Sequence, residues 1–146
     1  MIENSQYNLE LLAANDRFYL ALTRADLELM TQIWSQGEDT QCIHPGWDLI
    51  RGWDAIRRSW ETIFNHQGPV PIAATDPRIY HYPGTHLAAV TCFENIATNE
   101  VDLAVVRTIC TNLFRRENDN WKLFLHHASL GSPLPGATDA ATPPIH

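Results

Sequence analysis

Positive charge is scarce in this chain. Lysine and arginine together number 10 of 146 residues against 17 aspartates and glutamates, a formal net charge of -7 with histidine neutral. Binding to a phosphate backbone is driven by basic side chains that displace counterions, so no nucleic-acid partner is expected. Cysteine is scarce too: Cys42, Cys92 and Cys110 are an odd number with no C-x-x-C pair. That argues against a disulfide framework or a thiolate zinc site and reads as three reduced, buried thiols. No apolar run approaches the roughly 18 to 20 residues that cross a bilayer, so no membrane partner is expected. Met1-Ile2-Glu3-Asn4-Ser5-Gln6 has no basic segment followed by an apolar one. Lacking that signal-peptide pattern, the chain is expected to be cytoplasmic.

What is present is an ordinary globular composition, 45% hydrophobic and 18% charged, at a length suited to one core. One domain is expected over 1–130. Beyond it, Pro133, Pro135, Pro143 and Pro144 stand among small residues, so 131–146 is expected to be a Pro-rich flexible tail. Within the domain, helical signals come first. Leu11, Leu12, Phe18, Tyr19 and Leu22 share a helical face that includes Asn15. Asp26 is suited to cap a second helix with Leu27, Met30, Ile33 and Trp34 inward and an end near Gly37. Thr40 to Ile43 is a short strand. Gly52 opens a third helix whose stripe is Trp53, Ile56, Trp60, Ile63 and Phe64, closed by Gly68-Pro69.

Past residue 69 the periodicity becomes that of strands. Val70 to Ala74 stays unassigned, Arg78 to Tyr82 is a short strand, and three long β-rich runs follow: His86 to Ala97, Val101 to Arg116 and Trp121 to Ser129. Thr98-Asn99-Glu100 and Glu117-Asn118-Asp119-Asn120 are the hairpin signals between them. Helices preceding an antiparallel meander imply an α+β fold whose twisted sheet curls around the helices.

The stretch Cys42-Ile43-His44-Pro45-Gly46-Trp47 runs a strand into a loop and places one imidazole against the aromatic third helix. Alternation of side chains then sorts the sheet faces. In the last strand Trp121, Leu123, Leu125, His127 and Ser129 share a face opposite Lys122, Phe124, His126 and Ala128. His126 and His127 cannot both enter one cavity, and His127 is expected inward because Lys122 begins the other face. In the preceding strand the arginines Arg107 and Arg115 mark the outward face, leaving Asn112 inward. Around Glu94 the two faces do not separate, so it is a candidate pocket acid only.

The Phe18-Tyr19 helix, the helix from Asp26 to Trp34, His44-Pro45, Gly52-x-x-Ala55-Ile56-x-x-Ser59-Trp60, Thr111-Asn112-Leu113-Phe114 and Trp121-Lys122-Leu123-Phe124-Leu125-His126-His127-Ala128-Ser129 occur in that order. Together they resemble the nuclear transport factor 2-like (NTF2-like) superfamily, in its SnoaL-like branch, over about residues 7 to 130. The resemblance implies a cone-shaped, cystatin-like α+β barrel with three N-terminal helices in a curved, mostly antiparallel sheet. It also implies a hydrophobic cavity and a homodimer joined through the outer sheet face. Chemistry it leaves open, because members include ketosteroid isomerases, polyketide cyclases, dehydratases and transport adaptors.

In ketosteroid isomerases the general base is an Asp followed by Pro at this strand end, and His44 falls at that position. An imidazole is suited to proton transfer at neutral pH. The isomerase also uses a Tyr and a protonated Asp to hold the enolate. Here Phe18 stands at the first-helix position, with Tyr19 adjacent, and the acid falls near Cys110 or Thr111. Losing such donors costs about 10²-fold or more each in rate, which weighs against steroid isomerisation.

The expectation is therefore a pocket for a small hydrophobic, carbonyl-type molecule. His44 is its candidate acid–base group in isomerase, cyclase or dehydratase chemistry. His127, Asn112, Trp47, Trp60, Phe64, Phe18 and Glu94 are the candidate binding residues. No metal or cofactor is expected, since a set of His44, His127 and Glu94 has thin support from strand alternation. Plainer alternatives stand beside each. His44 could cap the strand end, His127 could be a core histidine bonded to Asn112 or Ser129, and Trp47 could be a surface anchor instead of an aromatic lid. Trp60, Phe64 and Phe18 are core residues first, and Asn15 reads as a helix-edge residue. A non-catalytic ligand-binding or protein-interaction module is the alternative function.

Overall fold

A computed structural model of the chain describes residues 2–97 and 105–131. The segment 98–104, with the hairpin signal at Thr98-Asn99-Glu100, lies outside the described residues. So do residues 132–146 of the expected tail.

Helix α1 (Ile2–Arg24) is longer than its apolar stripe because no Pro or Gly occurs before Gly37 to stop it. It ends where Ala25 turns left-handed at φ 52 and Asp26 N–H reaches back to the Ala21 carbonyl at 2.9 Å. Asp26 caps α2 (Leu27–Ile33), its Oδ1 accepting from Leu29 N–H at 3.0 Å. The chain then forms β1 (Gln41–Ile43), β2 (Ile50–Arg51), α3 (Trp53–Gln67), β3 (Ile72–His81), β4 (Leu87–Ala97), β5 (Val105–Glu117) and β6 (Asn120–Leu130). Two details differ from expectation. Strand β2 was not anticipated, being only two residues long, and β3 starts six residues earlier than the Arg78 run.

The six strands form one sheet in the order β2-β1-β6-β5-β4-β3. All neighbours are antiparallel except β1 and β6, which run parallel with Cys42 opposite His126 and Ile43 opposite His127. This is the expected α+β fold, three helices packed in a curved, mostly antiparallel sheet. Leu11 and Phe18 of α1, Met30 of α2, Trp34 after it, Ile56 and Trp60 of α3, and Phe114 and Leu123 of the sheet meet in the core. Each such side chain contributes about 1.5–3 kcal/mol by leaving water.

A bulge in β6 decides which side chains face that core. Leu113 pairs with Leu125, but the next residue, Phe114, pairs with Leu123, so Phe124 is an extra residue. Up to Leu123 the inward set is Trp121 and Leu123; beyond the bulge it becomes His126 and Ala128. Strict alternation across the bulge therefore misassigns everything after it. His127 is exposed, and the expectation that it points inward is corrected: His126 is the buried imidazole. A second bulge, in edge strand β3 between Thr75 and Arg78, accommodates Pro77, which has no N–H for the ladder.

A buried polar cluster between the helices and the sheet

His44 is set by a tight turn. Pro45 and Gly46, the latter at φ 82, occupy its central positions, and Trp47 N–H closes it on the His44 carbonyl at 2.9 Å. The turn brings the Trp47 indole edge-on to the imidazole, ring centres 4.9 Å apart. Trp47 remains 44% exposed while His44 is 2% exposed. The indole thus covers the imidazole from outside. On the inner side His44 meets Trp60 edge-on at 4.4 Å, and Trp60 continues to Phe18 at 5.7 Å and Phe64 at 5.8 Å. Phe18, Trp60 and Phe64 are all core residues, as their plainer alternative has it. They also form the aromatic wall beside His44.

Ser59 fixes the proton on His44. Its hydroxyl donates to the Ile56 carbonyl at 2.6 Å, so toward His44 Nε2, 2.8 Å away, it can only accept. Nε2 therefore carries the hydrogen and Nδ1 keeps the lone pair. Burial, and then the neighbouring His126, lower the His44 pKa to about 3. The ring is neutral at pH 7 and a weak base. The sequence signal for Ser59 was its place on the apolar stripe of α3, three residues after Ile56 and one before Trp60.

His126 lies across the parallel β1–β6 pair, its ring centre 6.5 Å from that of His44. Its Nδ1 stands 2.7 Å from Asn112 Oδ1. Asn112 Nδ2 donates to Asn15 Oδ1 at 2.9 Å and to Tyr19 Oη at 3.3 Å, which leaves Oδ1 to accept from His126 Nδ1–H and from the Cys110 thiol at 3.3 Å. Burial holds the His126 pKa low, opposed by Glu94. Asn112 points inward as strand alternation indicated. Asn15, read as a helix-edge residue, is corrected to a fully buried one, because β5 offers it a partner that α1 alone does not reveal.

Glu94 faces the same interior. Its Oε2 accepts from Tyr19 Oη at 2.6 Å and its Oε1 from Thr108 Oγ1 at 2.5 Å. Burial, reinforced by Cys110 and Glu94, pushes the Tyr19 hydroxyl well above its ordinary pKa, so it stays a donor. Of the positions compared with the isomerase oxyanion donors, Tyr19 and Cys110 are inward and Thr111 lies on the opposite face. Cys92 stands directly across from Cys110 in the ladder, and its thiol is 3.3 Å from Tyr19 Oη. One donor atom from each of Glu94, Cys110 and His126 lies within 4.8 Å of the other two. The set of His44, His127 and Glu94 does not assemble, because His127 faces out. Tyr19 and Cys92 were missed as a network because their contacts join α1 to β4 over more than 70 residues, and Thr108, which shares the parity of Asn112, meets Glu94 across the β4–β5 ladder, where the inward face of β4 was not assigned.

An open cleft of about 300 Å³ lies elsewhere, lined by Glu10, Arg17, Gln32, Asp119 and Lys122 among others, and holds none of the candidate residues. Among the described residues, no helix is long and apolar enough to cross a membrane.

The SnoaL-like domain family model matches residues 11–133. In solved structures the chain resembles a Streptomyces avermitilis protein provisionally named a dehydratase of the NTF2-like family. That match has 31% identity and a TM-score of 0.78 and covers 88% of this chain and 98% of the other. It also resembles a Thiobacillus denitrificans protein provisionally named a calcium/calmodulin-dependent protein kinase type II association domain. There the identity is 28% and the TM-score 0.71, over 82% of this chain and 94% of the other. The Arabidopsis thaliana F-box protein SKIP8 is 25% identical over 122 residues, 82% of this chain and 49% of that protein, so the chain spans about half the length of this curated relative.

Proposed function

We propose, from the premise that this chain belongs to the SnoaL-like domain family, that its interior binds a small, mostly apolar molecule carrying a carbonyl or hydroxyl oxygen. The observation that carries this is Trp60 Nε1. It is buried beside His44 in the aromatic wall and has no hydrogen-bond partner among the described residues. An unsatisfied buried donor costs about 1–3 kcal/mol, and a ligand oxygen would relieve it. The dehydratase name of the Streptomyces avermitilis protein supports a finer form, loss of water from a hydroxycarbonyl compound with His44 moving the proton. His44 at a pKa of about 3 supports the other form, a binding module without chemistry. A polar ligand that raises the basicity of Nδ1 is what would let His44 act as a base. Homodimerisation through the outer sheet face near Arg107, Ile109 and Phe124 belongs to the same proposal, with Ile109 45% exposed there.

Thermal shift of the wild type with a panel of small aldehydes, ketones, hydroxyketones and fatty acids tests it. A ligand at 100 times its Kd adds about 2.7 kcal/mol of stability. Trp60→Phe keeps an aromatic ring in the wall and removes the N–H together with the pyrrole half of the indole, so it should fold with reduced stability and lose most of the shift. Equal shifts in wild type, Trp60→Phe and His44→Ala would refute the site, and loss of water from a bound hydroxyketone in wild type alone would select the enzyme. Light scattering that finds a monomer at micromolar concentration would remove the dimer.

A further inference from the structure

We infer that Glu94, Cys110 and His126 bind a divalent cation of borderline softness, with zinc the leading case, and that the Asn112 carbonyl oxygen stands at its fourth corner. This goes beyond the small-molecule site and does not rest on it. It also departs from the expectation of no metal, because β4, β5 and β6 bring these donors together only through sheet register.

Distances come first. Cys110 Sγ is 3.4 Å from His126 Nδ1 and 3.3 Å from Asn112 Oδ1, and Oδ1 is 2.7 Å from Nδ1. Zinc bonds of about 2.3 Å to sulfur and 2.0–2.1 Å to nitrogen at a tetrahedral angle put the two atoms about 3.6 Å apart. The sulfur–nitrogen edge is thus nearly formed, while the Nδ1–Oδ1 edge, now 2.7 Å, would open to about 3.4 Å around the ion, and Glu94 lies within the 4.8 Å group. Two protons, on Cys110 Sγ and His126 Nδ1, now point toward Asn112 Oδ1 and occupy the space between the donors that the ion would take.

Charge comes second. Glu94 is 4% exposed, and no ion pair joins it to a cation among the described residues. A buried anion without a counter-charge is costly. One carboxylate, one thiolate, one neutral imidazole and a divalent cation sum to zero, the charge a water-free site favours. Outer groups are already in place, with Tyr19 and Thr108 each donating to Glu94.

The exchange balances. The cation forms a bond to Cys110 sulfur as the S–H bond breaks, releasing one proton to solvent. The imidazole proton moves from Nδ1 to Nε2 with no change in charge. No electron is transferred. Binding is therefore coupled to pH through the thiol, and burial, which raises the Cys110 pKa, makes zinc compete with a tightly held proton.

The test is titration of the chelator-treated full chain with Co²⁺, which reports thiolate ligation by an intense charge-transfer band and tetrahedral geometry by its visible bands. The expected result is a saturable band in wild type, displaced by Zn²⁺, with one proton released per ion in weakly buffered solution. Cys110→Ser keeps a donor toward Asn112 and should abolish the charge-transfer band; Thr108→Ala should weaken Co²⁺ about 10-fold or more. Absence of the band in folded wild type overturns the inference whether or not the variants fold. A band unchanged in Cys110→Ser overturns it equally, by assigning the thiolate to Cys42 or Cys92. None of these outcomes depends on an organic ligand.

Discussion

Acidification from pH 7 to pH 5 should destabilise this protein through His44 before any carboxylate matters. The folded pKa is lowered to about 3, by burial first and by His126 second. The unfolded pKa is about 6.5. Over this window the unfolded chain takes up a proton that the folded chain refuses. Stability is therefore full above the unfolded value and falls as pH drops from about 6.5 toward 3. With these two values the loss between pH 7 and pH 5 is about 2 kcal/mol, and it barely changes if the folded pKa is a unit higher or lower. His126, also lowered, adds in the same direction. The carboxylates held low by arginines, Glu10 beside Arg116 and Asp39 beside Arg115, also lose stability as pH falls, but only from about pH 5 downward, below the window measured for His44. Urea unfolding of chelator-treated protein at pH 7 and pH 5, for wild type and His44→Gln, measures the effect. Wild type should lose about 2 kcal/mol more than the variant across the window. Equal losses in the two proteins, or an NMR titration of His44 near pH 6.5, would refute the burial argument.

Two further outcomes follow from the network and the bulge. Asn112→Ala would strand the His126 Nδ1–H, the Cys110 thiol and the Asn15 carbonyl oxygen, and should cost about 3–5 kcal/mol in chemical denaturation; a loss below 1 kcal/mol would mean water replaces the amide without penalty. Deleting Phe124 should leave Leu125 opposite Leu113 and His126 opposite Asn112 in a regular ladder, since Phe124 is the surplus residue. Diethyl pyrocarbonate should then modify His127 and spare His126, as in wild type, and modification of His126 would show that the bulge does not set the register.

Local signals fixed much of the fold. Asp26 as a cap, Gly52 and Gly68 around α3, the His44-Pro45-Gly46-Trp47 turn and the alternation in β5 are each governed by neighbours within about four residues, and each took the form its residue types favour. The placement of His44 against Trp60 was legible for the same reason, because an apolar helical stripe must face the core. His126 was not legible. One extra residue in β6 reverses the faces that follow, and a bulge is chosen by the pairing of two strands, not by either alone. Asn15, Tyr19 and Glu94 likewise found their partners across 75 to 97 residues of chain. The sequence by itself determined the three helices, β1 with the imidazole at its end, and the long strands β4 to β6. Only the tertiary structure decided which second histidine joins it and which polar groups share its interior, because those depend on register between distant strands, where a shift of one residue exchanges the two faces.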